Sequence, residues 1–172
     1  MRTLTLLATL VSLCVANAVG EPGLPTRYEP KTARKLKPEE VKTFGPQADK
    51  YRYDSRMIRA AEIAASRARS HSTNYCWRYV KKALVAADAV DSYPDTPYAK
   101  HAATELPREY GFKKLPLSNP YLAPVGAVLV YGGRDAGHVE IRTRSGFVSD
   151  YFSRTPRANR PFIGAFVLPR AG

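Results

Sequence analysis

The spacing of apolar residues changes once along this chain, and that change limits the folds open to it. Met57, Ala60, Ala61, Ala64, Ala65 and Ala68 share one helical face and predict a helix over roughly 55–69. Cys76, Tyr79, Val80, Ala83, Leu84 and Ala87 mark one face of a second helix, opening near Tyr75 behind the polar cap formers of 70–74. Thr96-Pro97 has the form of a cap followed by proline at the first helical position, so it predicts a short helix that stops before Pro107, with loop over 108–124. From Ala127 the pattern is that of strands. Ala127 to Tyr131 is a short apolar run bounded by glycines, 138–143 and 146–151 alternate around Arg144-Ser145-Gly146, and Ile163 to Leu168 makes a further strand. Helices followed by antiparallel strands imply an α+β domain over 51–172, its N-terminal helices packed on a small antiparallel sheet.

Two segments precede that domain in a chain of 172 residues. Residues 1–18 read as a signal peptide: a basic start at Met1-Arg2, an apolar run from Leu4 to Val15, and the small-x-small site Ala16-Asn17-Ala18. The run is too short for a transmembrane segment, and no later one is long enough. The expected destination is therefore the periplasm or the extracellular space. Residues 19–50 hold five prolines, seven Lys/Arg and five Asp/Glu without a sustained apolar period, which reads as a Pro-rich basic linker or arm.

Charge and cysteine use narrow the chemistry. The formal net charge is +12, which favours anionic partners such as a wall polymer, lipid head groups or nucleic acid. It is unevenly spread: 51–82 carries +6 and 134–172 carries +4, while 83–133 is close to neutral. Two Cys exclude a disulfide scaffold, and cleavage after Ala18 would leave Cys76 alone. Three scattered His without zinc-ligand spacing give no metal site, and nothing implies a cofactor.

Cys76 falls in the first turn of the second helix, where free backbone N–H groups and the helix dipole favour a thiolate. The competing reading is a small buried hydrophobe. His138, in Gly137-His138-Val139-Glu140-Ile141 at the start of a strand, is a candidate base for that thiol. His71 and His101 have no motif around them. A base needs a group to orient it, and two acids offer themselves. If Arg144-Ser145-Gly146 is a three-residue turn with Gly146 left-handed, position 143 faces 147, and His138, Glu140 and Asp150 share a face. A two-residue turn would send Asp150 to the other face. The expected third member is Asp150, with Glu140 as the alternate.

The fragments Asn74-Tyr75-Cys76-Trp77-Arg78-Tyr79-Val80, Pro124 to Tyr131, Gly137-His138-Val139-Glu140-Ile141 and Phe147-Val148-Ser149-Asp150-Tyr151, in that order, resemble CHAP and NlpC/P60 cysteine peptidases. The resemblance spans about 75–168 and implies a papain-like α+β fold. It implies Cys76 as nucleophile, His138 as base, Asp150 as orienting residue, and cleavage of amide bonds in peptidoglycan. Ala127 stands where those families usually have Asp, and their oxyanion helper has no clear match; Tyr75, beside the nucleophile, is the candidate.

The leading expectation is thus an exported, cysteine-dependent peptidoglycan amidase or endopeptidase, held to anionic wall polymer by its basic surface, with no nucleic acid as partner. The alternative from another class is a non-catalytic cationic module that binds wall polymer or nucleic acid, with Cys76 inert. An acyltransferase on a permuted version of the fold would place its His strand before its Cys helix, whereas here Cys76 comes first.

Overall fold

The computed structural model describes residues 50–170. The expected signal peptide and nearly all of the expected arm lie outside the described residues. Among the described residues three α-helices come first: α1 (Arg56–Ser66), α2 (Cys76–Ala86) and α3 (Ala102–Tyr110), the last preceded by a 3-10 turn, Ala99–His101. Six strands follow: β1 (Lys113–Lys114), β2 (Val128–Tyr131), β3 (His138–Arg142), β4 (Phe147–Val148), β5 (Phe152–Ser153) and β6 (Phe162–Val167). They form one antiparallel sheet in the order β1-β6-β2-β3-β4-β5. The α+β class and the helices-on-sheet arrangement hold.

The helices bury the faces that their spacing marks. Met57, Ala60, Ala61 and Ala64 of α1 and Val80, Ala83 and Leu84 of α2 are buried together and cover the β3–β4 side of the sheet. The central strand β2 is buried along its whole length, which accounts for its continuous apolar run. No helix among the described residues is long and apolar enough to cross a membrane.

Three local expectations need correction. The first helix ends at Ser66 because the chain beyond it is drawn off as a bridge: Arg69 N–H donates to the Asp150 carbonyl at 2.9 Å, and Arg69 pairs with Tyr151. Thr96 caps no helix. Buried Glu105 instead accepts from the Asp95 and Thr96 N–H groups at 2.5 and 3.1 Å, and Trp77 and Lys81 both donate to the Thr96 carbonyl. Helix α3 starts five residues after Pro97 and runs through Pro107 to close on left-handed Gly111, so part of the expected 108–124 loop is helix, β1 and the 3-10 turn Pro120–Leu122.

The third correction reaches the site. The β3–β4 ladder pairs Ile141 with Val148 and Arg142 with Phe147, one residue off the expected register. Thr143 N–H donates to the Gly146 carbonyl, and the Thr143 hydroxyl accepts from Gly146 N–H, which closes a two-residue turn over Arg144-Ser145. Gly146 is not left-handed. It is required because a Cβ there would meet the Ser153 carbonyl at 2.3 Å. Gly126 does need its positive φ of 92°, and a Cβ there would lie 2.7 Å from the Met57 backbone in α1. We expect Gly126→Ala to destabilise the domain by about 1–3 kcal/mol, read as a lowered thermal midpoint. An unchanged midpoint would contradict this packing of α1 on the strand entry.

Candidate active site

Cys76 is the first residue of α2, half-buried against the core, and Tyr75 holds the N-cap position without a side-chain cap. The first intrahelical bond runs from Tyr79 N–H to the Tyr75 carbonyl, so the N–H groups of Cys76, Trp77 and Arg78 lie in the unpaired first turn. The expected capping run serves another purpose. Thr73 donates to the Asp150 carboxylate from its N–H at 2.5 Å and its hydroxyl at 2.9 Å, and Ser72 donates at 3.3 Å. Asn74 then takes a left-handed φ of 63° and turns the chain into the helix.

His138 opens β3 opposite Tyr131 of β2. It is buried, 8% exposed; its ring is hydrogen-bonded to Glu140, and Cys76 lies near enough to favour the charged ring. The ring Nε2 lies 3.4 Å from Glu140 Oε2. Gly137 fixes where the strand begins: its φ is 76°, and a Cβ would meet the Tyr131 carbonyl at 2.6 Å and the Lys100 Cβ at 2.7 Å. The glycine thus admits the 3-10 turn, whose Lys100 N–H donates to the Ala136 carbonyl.

Glu140 and His138 lie two apart on one strand and so share a face. Glu140 is 3% exposed, and both of its oxygens are engaged. Oε1 accepts from the Tyr131 hydroxyl at 2.7 Å and from Arg157 N–H at 3.2 Å; Oε2 faces the imidazole. Burial and the adjacent Glu140 charge push the Tyr131 phenol up, so it remains a donor. Sequence reasoning missed Tyr131 and Arg157, although Tyr131 in the strand before the His carried a weak signal.

Asp150 lies elsewhere. It sits at the tip of the tight β4–β5 turn, 1% exposed, and its carboxylate faces Ser72, Thr73 and Ser149 with no hydrogen bond to the His138 ring. Burial pushes this carboxyl up, but the Thr73 hydrogen bonds and the Ser149 hydroxyl outweigh it and hold the group below its usual value. Tyr75 is exposed, with Arg78 over its ring at 5.9 Å. Nearby, Arg160 pairs with Asp135 at 2.5 and 2.7 Å. Among the described residues no group of three or more His, Cys, Asp or Glu is placed to hold a metal ion.

Burial opposes the charge on His138, but Cys76 and Glu140 outweigh it and raise its pKa to about 9. A free imidazole titrates near ~6.5. The stability contributed by the protonated ring is therefore fully present below that value and is lost as pH rises through about 9. We expect an NMR titration of the ring to report deprotonation on the alkaline side of neutrality. Glu140→Gln should move it to lower pH, while Asp150→Asn should leave it in place. A shift in the Asp150 variant alone would contradict the geometry.

No protein-family model and no curated protein matches the chain. Among solved structures, a chain of the type VI native effector–immunity complex Tae3–Tai3 from Ralstonia pickettii is similar, with 26% sequence identity and a TM-score of 0.52, over 65% of this chain and 98% of that one. A selenomethionine form of the same complex matches at 24% identity and a TM-score of 0.49, over 63% and 98%.

Proposed function

We propose that this chain is an exported cysteine peptidoglycan hydrolase, an amidase or endopeptidase that cuts an amide bond of cell-wall peptides. The observation that carries the proposal is a thiol at an uncapped helix N-terminus, close to a buried imidazole that a buried carboxylate holds. The likeness to an effector–immunity complex adds to it. It favours an immunity protein as partner.

In this reading the Cys76 thiolate attacks the amide carbonyl while His138 carries the proton. The oxyanion forms beside the unpaired first-turn N–H groups of α2, where Cys76 N–H is a donor and Tyr75 lies next to it. His138 protonates the leaving amine, and the acyl group stays on sulfur as a thioester. Water then attacks the thioester, gives a proton to His138, and releases a carboxylic acid and the free thiol. Glu140 orients the imidazole. Asp150, the acid expected there, acts one step back: it ties down Ser72 and Thr73 and so fixes the turn that delivers Cys76.

Purified peptidoglycan and mass spectrometry of the released fragments test the proposal. Cys76→Ala and His138→Ala should each abolish release in a folded protein, and the double variant should be no worse than either. Full activity in Cys76→Ala would leave the cationic binding module as the reading. Glu140→Gln should lower kcat with little change in KM. Asp150→Ala should lower the midpoint of thermal unfolding as well as activity, because it frees the Ser72–Thr73 segment.

A further inference from the structure

Beside Glu140, the β5–β6 connection leaves a cleft of about 330 Å3. Glu140, Tyr151, Ser153, Thr155, Arg157 and Asn159 are among the residues that line it. The volume is at the small end of ligand pockets, suited to a single residue of a larger substrate. Its polar groups differ in how far they are engaged. Both Glu140 oxygens already have partners, and Ser153 is tied to Thr155 through its hydroxyl. Arg157 holds only Tyr151, its Nη1 donating to the phenol oxygen at 3.1 Å. That leaves the phenol proton free to donate.

Arg157 has no carboxylate within ion-pair distance among the described residues, and its buried Nε has no hydrogen-bond partner. A guanidinium short of acceptors favours a planar anion, which would meet its Nη groups, since Nε is sealed from solvent. The local charge has the same sign. From Tyr151 to Arg170 the chain contains Arg154, Arg157, Arg160 and Arg170 and no Asp or Glu.

We propose that this cleft is a carboxylate subsite. Arg157, with the Tyr151 hydroxyl beside it, binds a free carboxylate of the wall peptide and so sets which amide lies against Cys76. The assignment rests on the hydrolase reading and adds a specificity determinant to it. Arg157 also donates its backbone N–H to Glu140. Loop placement and ligand recognition are thus separable: Arg157→Gln removes the guanidinium and keeps that N–H.

The test uses muropeptides from purified peptidoglycan, native or with their carboxylates converted to carboxamides, and the full chain carrying Cys76→Ala so that binding is read without turnover. Native muropeptide should bind on the order of ten- to hundredfold more tightly than the amidated form. Arg157→Gln should abolish the difference, Arg157→Lys should keep part of it, and Tyr151→Phe, the milder variant, should reduce it. Equal binding of the two forms, no binding of either, or a preference that persists in Arg157→Gln would overturn the subsite. Turnover by the Cys76-intact chain separates the two proposals. Hydrolysis without a preference for the free carboxylate defeats the subsite and leaves the hydrolase standing. A carboxylate preference in binding without hydrolysis defeats the hydrolase and leaves the subsite.

Discussion

A carboxylate inside an antiparallel sheet must be compensated on every lone pair it keeps from water, and Glu140 imposes that demand on the elements around it. Its two oxygens draw on three separate pieces of chain: the Tyr131 hydroxyl from the neighbouring strand, the Arg157 N–H from the β5–β6 connection, and the His138 ring from its own strand. The same contacts close the connection over the sheet and hold the imidazole in one orientation. Removing any of them leaves a buried charge short of a partner, so the loop, the strand pair and the ring are energetically one unit.

Cys76 reaches this unit from the other direction, and its placement depends on a second buried acid. The loop before α2 has no regular structure of its own, and its fixed points are the three hydrogen bonds from Ser72 and Thr73 to Asp150. Arg69 N–H to the Asp150 carbonyl secures the same turn from the chain leaving α1. The two acids therefore divide the work by location: one lies on the strand of the imidazole, the other at the turn that meets the thiol's loop. Both are buried acids with donors aimed at their oxygens.

Much of this was legible in the sequence, because the signals were local. Helical spacing marked the buried faces of α1 and α2, Cys76 stood at a helix start, and His138 and Glu140 lay two apart on one strand. Which of Glu140 and Asp150 lies beside the imidazole was not local. It turned on whether the Arg144-Ser145-Gly146 segment holds two residues or three in its turn, and the deciding contact is the Thr143 hydroxyl with Gly146. One residue of register moves an acid from one sheet face to the other. Likewise the cap-forming run before α2 read as a helix cap, since the sequence could not show that Asp150, 77 residues on from Thr73, would claim its donors.

That competition for the capping run bears on the reactivity proposed for the site. A Ser or Thr side chain bonded to the first turn of α2 would stabilise the helix by about 0.5–2 kcal/mol and would occupy the donors beside Cys76. With Ser72 and Thr73 turned instead to Asp150, the helix gives up that stabilisation and the first-turn N–H groups stay open to a developing negative charge. Tertiary packing makes good the difference. Trp77, on the same turn as Cys76, is buried, donates its indole N–H to the Thr96 carbonyl, and has the Lys81 ammonium 5.2 Å from its ring. The turn is thus held by its side chains rather than by a cap, which fixes Cys76 in position and leaves the backbone donors beside it unpaired.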